Sequence, residues 1–348
     1  MTTTSSSSSS STKTLTASCH CKSVHFTLTI PINLLPLKFH LCHCSICRYT
    51  HSTLCTFYTR LPANIKPQFI PPSSLADSLS GYTASKLSPC RRYFCSTCGC
   101  HIGDCSSPDE NDWVISSSIF DKEEERGIWE FEGHIYTGSA RGGLWEWLGG
   151  SLDESDVSPG EEEEEEEDGI DDDRETSVKA ECHCGGVSFS LSRPMQAILN
   201  NPKFQPFVSK TDSSKWLGLL DTCDDCRLVN GTHVHGWTTV PRSLISPTIP
   251  DTLLLGTSKV YSSSPDVRRT FCGVCGATVF YWVEDRAEVV DVALGLLRAK
   301  DVRAEGWLTW RTGKVGWVDD GLRYDAEFTK ALVKGMGDWG REKYGEGV

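Results

Sequence analysis

The stretch "ASCHCKSVHFTL" (17–28) returns as "AECHCGGVSFSL" (180–191), and "RRYFCSTCGCHI" (91–102) returns as "RRTFCGVCGATV" (268–279). Repetition of the same signposts in the same order marks a tandem duplication, so any fold open to one half must also be open to the other. Between the anchors stand "CHCSICR" (42–48) and "DTCDDCR" (221–227). The later spacing agrees, with 47 residues between Cys47 and Cys95 and 45 between Cys226 and Cys272. The earlier spacing does not: 20 residues separate Cys21 from Cys42 and 38 separate Cys184 from Cys223, which places an insertion in the second copy.

A length of 348 residues suits two domains. The 17 cysteines, eleven before residue 110 and six after residue 180, are odd in number and cannot all pair. The opening "MTTTSSSSSSSTKTLTA" lacks the apolar core of a secretory signal and, with Lys13 as its one basic residue, the arginines of a transit peptide. No later apolar run approaches a membrane span. The expectation is an intracellular chain, cytoplasmic or nuclear and off the membrane. There thiols stay reduced, and close-set cysteines bind metal or do chemistry.

The formal charge of −13 says little about partners once it is located. Residues 151–175 hold fifteen acids and one arginine, a net of −14, so the remainder is close to neutral. Like charges at that density repel and bury nothing, which predicts a disordered tether. Residues 1–150 carry twelve basic and twelve acidic residues, and 176–348 carry twenty-one and twenty. No basic face is available for phosphate, so nucleic acid is excluded as a partner. The predicted organisation is a Ser/Thr-rich tail over 1–15, a first zinc-binding domain over 16–150, the acidic linker over 151–176 and a second zinc-binding domain over 177–348.

The local signals are those of short strands: "VHFTLTI", "TLCTFYT", "WVISSSIF", "VSFSLS", "HGWTTV", "TVFYWV" and "VVDVALG" are rich in β-branched and aromatic residues between Pro, Gly and Ser clusters. A C-terminal helix is predicted where Phe328, Leu332, Met336 and Trp339 recur at helical spacing behind Asp325 as N-cap. The fold class is therefore mainly β with few helices, in small units with modest cores that a metal cross-link would stabilise.

In Cys95–Cys98–Gly99 and Cys272–Cys275–Gly276 a C-x-x-C turn followed by glycine can present two sulfurs to one point. The partners present in both copies are the C-H-C pairs, Cys19/Cys21 and Cys182/Cys184, read as strand-end residues two apart on one face. Two closed four-cysteine zinc sites follow. The same four-cysteine order occurring twice is a far stronger signal than one C-x-x-C alone.

The order C-H-C-x-x-V-x-F, C-H-C-x-x-C-R, F-C-x-x-C-G resembles the glutathione-dependent formaldehyde-activating enzyme family, which includes the centromere protein V domain. The resemblance implies a β-tent fold in each copy and a second zinc, held here by Cys42, Cys44 and Cys47. It also implies carbon–sulfur lyase-like chemistry on glutathione–aldehyde adducts, the formation and breakdown of S-hydroxymethylglutathione. Three protein thiolates leave one coordination position for a small-molecule thiol such as glutathione or for an aldehyde oxygen. Arg48 is the candidate substrate contact, with a structural ion pair as the alternative. His43, between two ligands, is read as a supporting or surface residue. In the second copy Asp221 and Thr222 stand where Cys42 and His43 stand in the first, so Asp221, Cys223 and Cys226 form a weaker candidate trio. About three zinc ions per chain are expected, or four if the aspartate trio is filled. The competing class is a non-catalytic zinc scaffold or protein-interaction module, which has no use for an intact three-cysteine run. Oligomeric state is not legible.

Overall fold

A computed structural model describes residues 11–86, 88–106, 111–122, 127–138, 140–148 and 175–345. Nearly all of the acidic tether lies outside these residues, as does the start of the N-terminal tail.

The two halves have one topology. In the first, β1 (Thr12–Ser18), β2 (His25–Pro31) and β5 (Gln68–Phe69) make a three-stranded sheet. A seven-stranded sheet runs in the order β10 (Trp129–Ile135), β3 (Leu37–Cys42), β4 (Thr56–Arg60), β9 (Trp113–Ser116), β8 (His101–Cys105), β7 (Arg91–Cys95), β6 (Leu79–Tyr82). In the second, β11 (Ser177–Glu181), β12 (Ser188–Ser192) and β15 (Ile245–Ser246) form the small sheet. The large one is β16 (Ser258–Ser264), β17 (Val267–Cys272), β18 (Thr278–Val283), β19 (Val289–Ala293), β14 (His235–Pro241), β13 (Trp216–Asp221), β20 (Leu308–Trp310). In each large sheet the last-formed strand, β10 or β20, lies parallel to the strand that ends at the first residue of the candidate trio, and the other pairings are antiparallel. The helices are α1 (Ser45–His51), α2 (Leu75–Ser78), α3 (Gln196–Leu199), α4 (Asp224–Asn230), α5 (Val318–Tyr324) and α6 (Ala326–Tyr344). The mainly β expectation with two similar halves therefore holds, and each strand read from the sequence is present. "WVISSSIF" and "VVDVALG" turn into 3-10 helix at Ser117–Ile119 and Leu294–Leu296.

Two boundaries differ from the sequence reading. Strand β1 begins at Thr12, in full register with β2 from Thr12 opposite Pro31, so residues 12–15 belong to the sheet and not to the tail. Its alternating Leu15 and Ala17 are fully buried, which outweighs the Ser/Thr-rich composition. The segment 140–148, assigned to the first domain, packs into the second. Leu144 and Trp147 belong to its core, with the Trp147 ring 5.0 Å from that of Trp310 and 5.4 Å from that of Trp339. Arg303 and Glu146 form an ion pair at 2.6 Å beside it. A buried tryptophan carries enough apolar area to fix such a strap wherever a pocket accepts it.

The insertion of the second copy contains α3 and a 3-10 turn, Gln205–Phe207. Helix α6 starts as predicted, with the Asp325 carboxylate accepting from the Phe328 backbone N–H at 3.0 Å and with Leu332 and Met336 fully buried.

Candidate metal centres

Four groups of side chains converge tightly enough to hold an ion, with the candidate ligand atoms of each within 4.8 Å of one another. They are Cys19, Cys21, Cys95 and Cys98; Cys182, Cys184, Cys272 and Cys275; Cys42, Cys44 and Cys47; and Asp221, Cys223 and Cys226. The residues expected as ligands are thus brought together in the groups expected from the sequence.

The four-cysteine groups are built from two turns. Cys19 and Cys21 lie in the turn after β1, not in a strand, so the same-face argument from strand periodicity does not apply to them. The turn is closed by backbone bonds from Cys19 N to Val24 O at 3.1 Å and from Lys22 N to Cys19 O at 3.0 Å. Cys95 ends β7, and Cys98 follows in a turn that passes through Gly99 at φ 84°. Sulfurs stand 3.4 Å apart in Cys19/Cys21 and 3.6 Å in Cys21/Cys95, with 3.5 Å for both Cys182/Cys184 and Cys184/Cys272. These separations far exceed a disulfide bond and approach the roughly 3.8 Å edge of a tetrahedron with metal–sulfur bonds of about 2.3 Å. Backbone N–H groups of Val24, Thr97, Gly186, Val187 and Val274 point at the sulfurs from 3.3 to 3.4 Å, an arrangement that favours thiolate. Hydrogen bonds from the neighbouring thiols hold Cys21 and Cys272 well below the ordinary thiol range. The donor set fits a thiophilic divalent ion such as zinc.

The three-cysteine group joins a strand end to a helix start. Cys42 is the last residue of β3, Cys44 is the N-cap of α1 and Cys47 lies in its first turn, with the Cys47 N–H directed to Cys44 Sγ at 3.3 Å. All three are buried. Hydrogen bonds from Cys42 and Cys44 push the Cys47 thiol well down, and the charge of Arg92 acts in the same direction. A bound cation would favour the thiolate form of all three sulfurs and release their protons.

His43 is fully buried and hydrogen-bonds through Nε2 to His134 Nδ1 at 2.9 Å, so it supports the ligand loop and is not a surface residue. Arg48 is buried too. Its Nε donates to the His43 carbonyl at 3.0 Å and its guanidinium stands 5.1 Å from the Tyr49 ring centroid. These contacts brace the ligand loop through a backbone carbonyl and a ring, a structural role other than the ion pair expected as the alternative.

Four residues near this centre were not singled out from the sequence: Arg92, Asp104, Tyr58 and His51. Burial opposes the charge of Arg92, but Cys47 and Asp104 more than offset it and hold its pKa up. Burial pushes the Asp104 carboxyl up to about 7, against the pull of Arg92, and its Oδ1 is buried without a hydrogen-bond partner. His51 Nε2 is hydrogen-bonded to the Tyr58 hydroxyl at 2.6 Å. A signal for Arg92 was present, since it belongs to the doublet that precedes F-C in both copies; Arg269 is its counterpart.

In the second copy Asp221 Oδ1 accepts from the Cys223 N–H at 2.7 Å, and Arg269 Nη1 donates to Cys226 Sγ at 3.6 Å. Thr222, in the place of His43, donates to the carbonyls of Gly316 and Trp317 at 3.0 and 3.1 Å. The carboxylate therefore already has a backbone partner, and burial pushes its pKa up. The N–H favours the charged form of the carboxylate, and it is the burial, which disfavours that form, that weakens it as a ligand relative to a third thiolate.

A model of the family described as glutathione-dependent formaldehyde-activating enzyme matches residues 14–139 and 209–310, one region in each half. The chain belongs to that family. No curated protein matches it. The matched regions contain the four cysteines of the first four-cysteine group and both trios, together with Cys272 and Cys275, and the Cys182/Cys184 pair falls between them. No helix among the described residues is long and apolar enough to cross a membrane.

Proposed function

We propose that the chain is a zinc-dependent carbon–sulfur lyase-like protein that makes and breaks S-hydroxymethylglutathione at the three-cysteine centre of its first copy. The observation that carries this reading is a buried convergence of Cys42, Cys44 and Cys47 within 4.8 Å in which, among the described residues, the donor group stops at three. Zinc bound there would supply a positive charge and one coordination position suited to a thiol. The remaining work falls to side chains. Arg92 offsets the negative charge gathered on the sulfurs and favours the thiolate of Cys47. Asp104, poised about 7, can take the glutathione thiol proton at Oδ1 and return it to the adduct oxygen. In that step the sulfur–carbon bond forms, the carbonyl π pair moves to oxygen, and the proton ends on that oxygen. Ions held by the two four-cysteine groups would cross-link their turns and, with four sulfurs each, would have no position to offer.

The deep burial of the three cysteines favours one second reading, a non-catalytic zinc scaffold. Transfer of formaldehyde onto glutathione, followed by NMR exchange at low protein concentration against the spontaneous rate, separates the two. Acceleration by the parent that is abolished by Cys44→Ser and preserved in Cys223→Ser is the expected outcome. No acceleration by the parent would leave the scaffold.

A further inference from the structure

Helix α1 carries two of the three sulfurs and has only seven residues, too few to hold its shape alone. Its first half is fixed by its own copy through the Arg48 brace and the Cys44 cap. Its second half is held from both sides: His51 by Tyr58 and His101 of its own copy, and Tyr49 and Ser52 by the other copy. The backbone N–H of His183, the residue between the closed-centre ligands Cys182 and Cys184, donates to the Tyr49 carbonyl at 3.2 Å. The His183 ring is tied in turn to first-copy strand β6 by a 2.7 Å bond between Nδ1 and the Tyr82 hydroxyl. Arg298 lies with its guanidinium carbon 3.3 Å from the Tyr49 ring centroid, and its Nη2 donates to Glu181 O. Gly295 N donates to the carbonyl of Ser52, the C-cap of α1, at 3.2 Å, and a Cβ on Gly295 would stand 2.2 Å from that backbone. Thr53 Oγ1 donates to Val234 O. The arrangement has a mirror on the other side, where His20 N donates to Leu228 O at 3.1 Å and the His20 ring bonds the Tyr261 hydroxyl at 2.6 Å, so that α4 is held by the first copy.

The geometry points to a division of labour in which the second copy is a positioning unit for the first copy's open centre, acting through its closed-centre turn and Arg298 on the C-terminal half of α1. This rests on reading Cys42, Cys44 and Cys47 as a metal centre, and not on that centre being catalytic. It also gives the second copy a use independent of its weakened Asp221 trio. His183 and Arg298 are positioning residues, since neither is a donor in the group they orient. Residues that orient ligands from behind typically alter metal affinity about 10- to 100-fold.

Two readouts on the full chain test it. Chelator competition on the zinc-loaded protein should release the open-centre ion about 10-fold more readily in Arg298→Ala and His183→Ala, with the ions of both closed centres retained. Amide exchange within Ser45–His51, which needs no metal, should accelerate about 10-fold in the same variants while the central strands of both large sheets keep their protection. Tyr82→Phe, nearly isosteric, serves if His183→Ala does not fold, and Tyr261→Phe is the matched change on the α4 side. Parent-like release and parent-like α1 exchange in the α1-side variants would overturn the inference. So would an equal effect of Tyr82→Phe and Tyr261→Phe on α1, because that reports general loosening. Selective loss of the ion in the variants, together with a parent that does not accelerate adduct formation, would sink the lyase reading and leave the positioning role standing.

Discussion

Gly99 and Gly276, one residue beyond the second cysteine of each C-x-x-C, have φ of 84° and 83°. Each also faces the opposite copy: a Cβ on Gly99 would come 2.5 Å from Cγ of Phe271, and one on Gly276 would come 2.7 Å from Cγ of Phe94. Positive φ and overlap with a buried ring add, so Gly276→Ala should cost about 2–4 kcal/mol. Gly185, at φ 71° with open space around it, bears only the first penalty, and Gly185→Ala should cost about 1 kcal/mol. Urea denaturation of both variants checks the difference, and equal losses would mean that the ring contacts do not matter. The glycine's service to the turn was legible in the sequence; its service to the interface was not, because nothing local links residue 99 to residue 271. Arg92 escaped for the same reason, being a strand residue whose partner Cys47 comes from another element. Arg92→Met should lower open-centre zinc affinity about 10-fold in chelator titration, since the sulfurs then lose the positive charge that favours the Cys47 thiolate. Unchanged affinity would remove Arg92 from the centre.

At the scale of elements, α6 and the strands were legible because amphipathic period and β-branched runs are local signals that burial reinforces. The pair α1 and α4 was not, because a seven-residue helix with the polar sequence "SICRYTH" or "DDCRLVN" has no periodicity long enough to read. Those helices exist because a cysteine caps the first turn, a left-handed residue, Ser52 or Gly231, ends the last, and the opposite copy supports them. The strap at 140–148 was placed in the wrong domain since its two buried side chains give no indication of which core receives them. Trp147 is fully buried against Trp310 and Trp339, so Trp147→Ala should destabilise the chain by about 3–5 kcal/mol. Protease nicking between residues 151 and 174 leaves the strap on the first fragment. The nicked parent should therefore stay associated more firmly than nicked Trp147→Ala in size-exclusion chromatography, and identical dissociation would show that the strap does not tie the halves.

For the whole molecule, the duplication leads one to expect two beads on an acidic tether, yet the halves share polar contacts that are out of reach of water. Ser118 Oγ is hydrogen-bonded to His233 Nδ1 at 2.6 Å, Ser116 donates to Gly231 O at 2.8 Å, and the His233 ring stacks 4.2 Å from Phe57. Burial pushes His233 down to about 3, and His235, stacked 4.3 Å from Trp237, down to about 3 as well. Both are therefore neutral when folded, whereas in the unfolded chain each gains a proton near pH 6.5. A depressed folded pKa makes the unfolded state the better proton binder, so the stability associated with each ring is fully present above about 6.5 and is lost as pH falls toward 3. At pH 5 the loss is about 2 kcal/mol per histidine relative to pH 7. The two halves should thus weaken together on mild acidification, in one transition, and His233→Gln, which keeps a hydrogen-bonding side chain but cannot charge, should flatten the slope between pH 7 and pH 5 by about 2 kcal/mol. Denaturant titrations of zinc-loaded protein at the two pH values measure it. The same slope in parent and variant would mean that His233 is hydrated in solution, and two separate transitions would mean that the halves do not interlock.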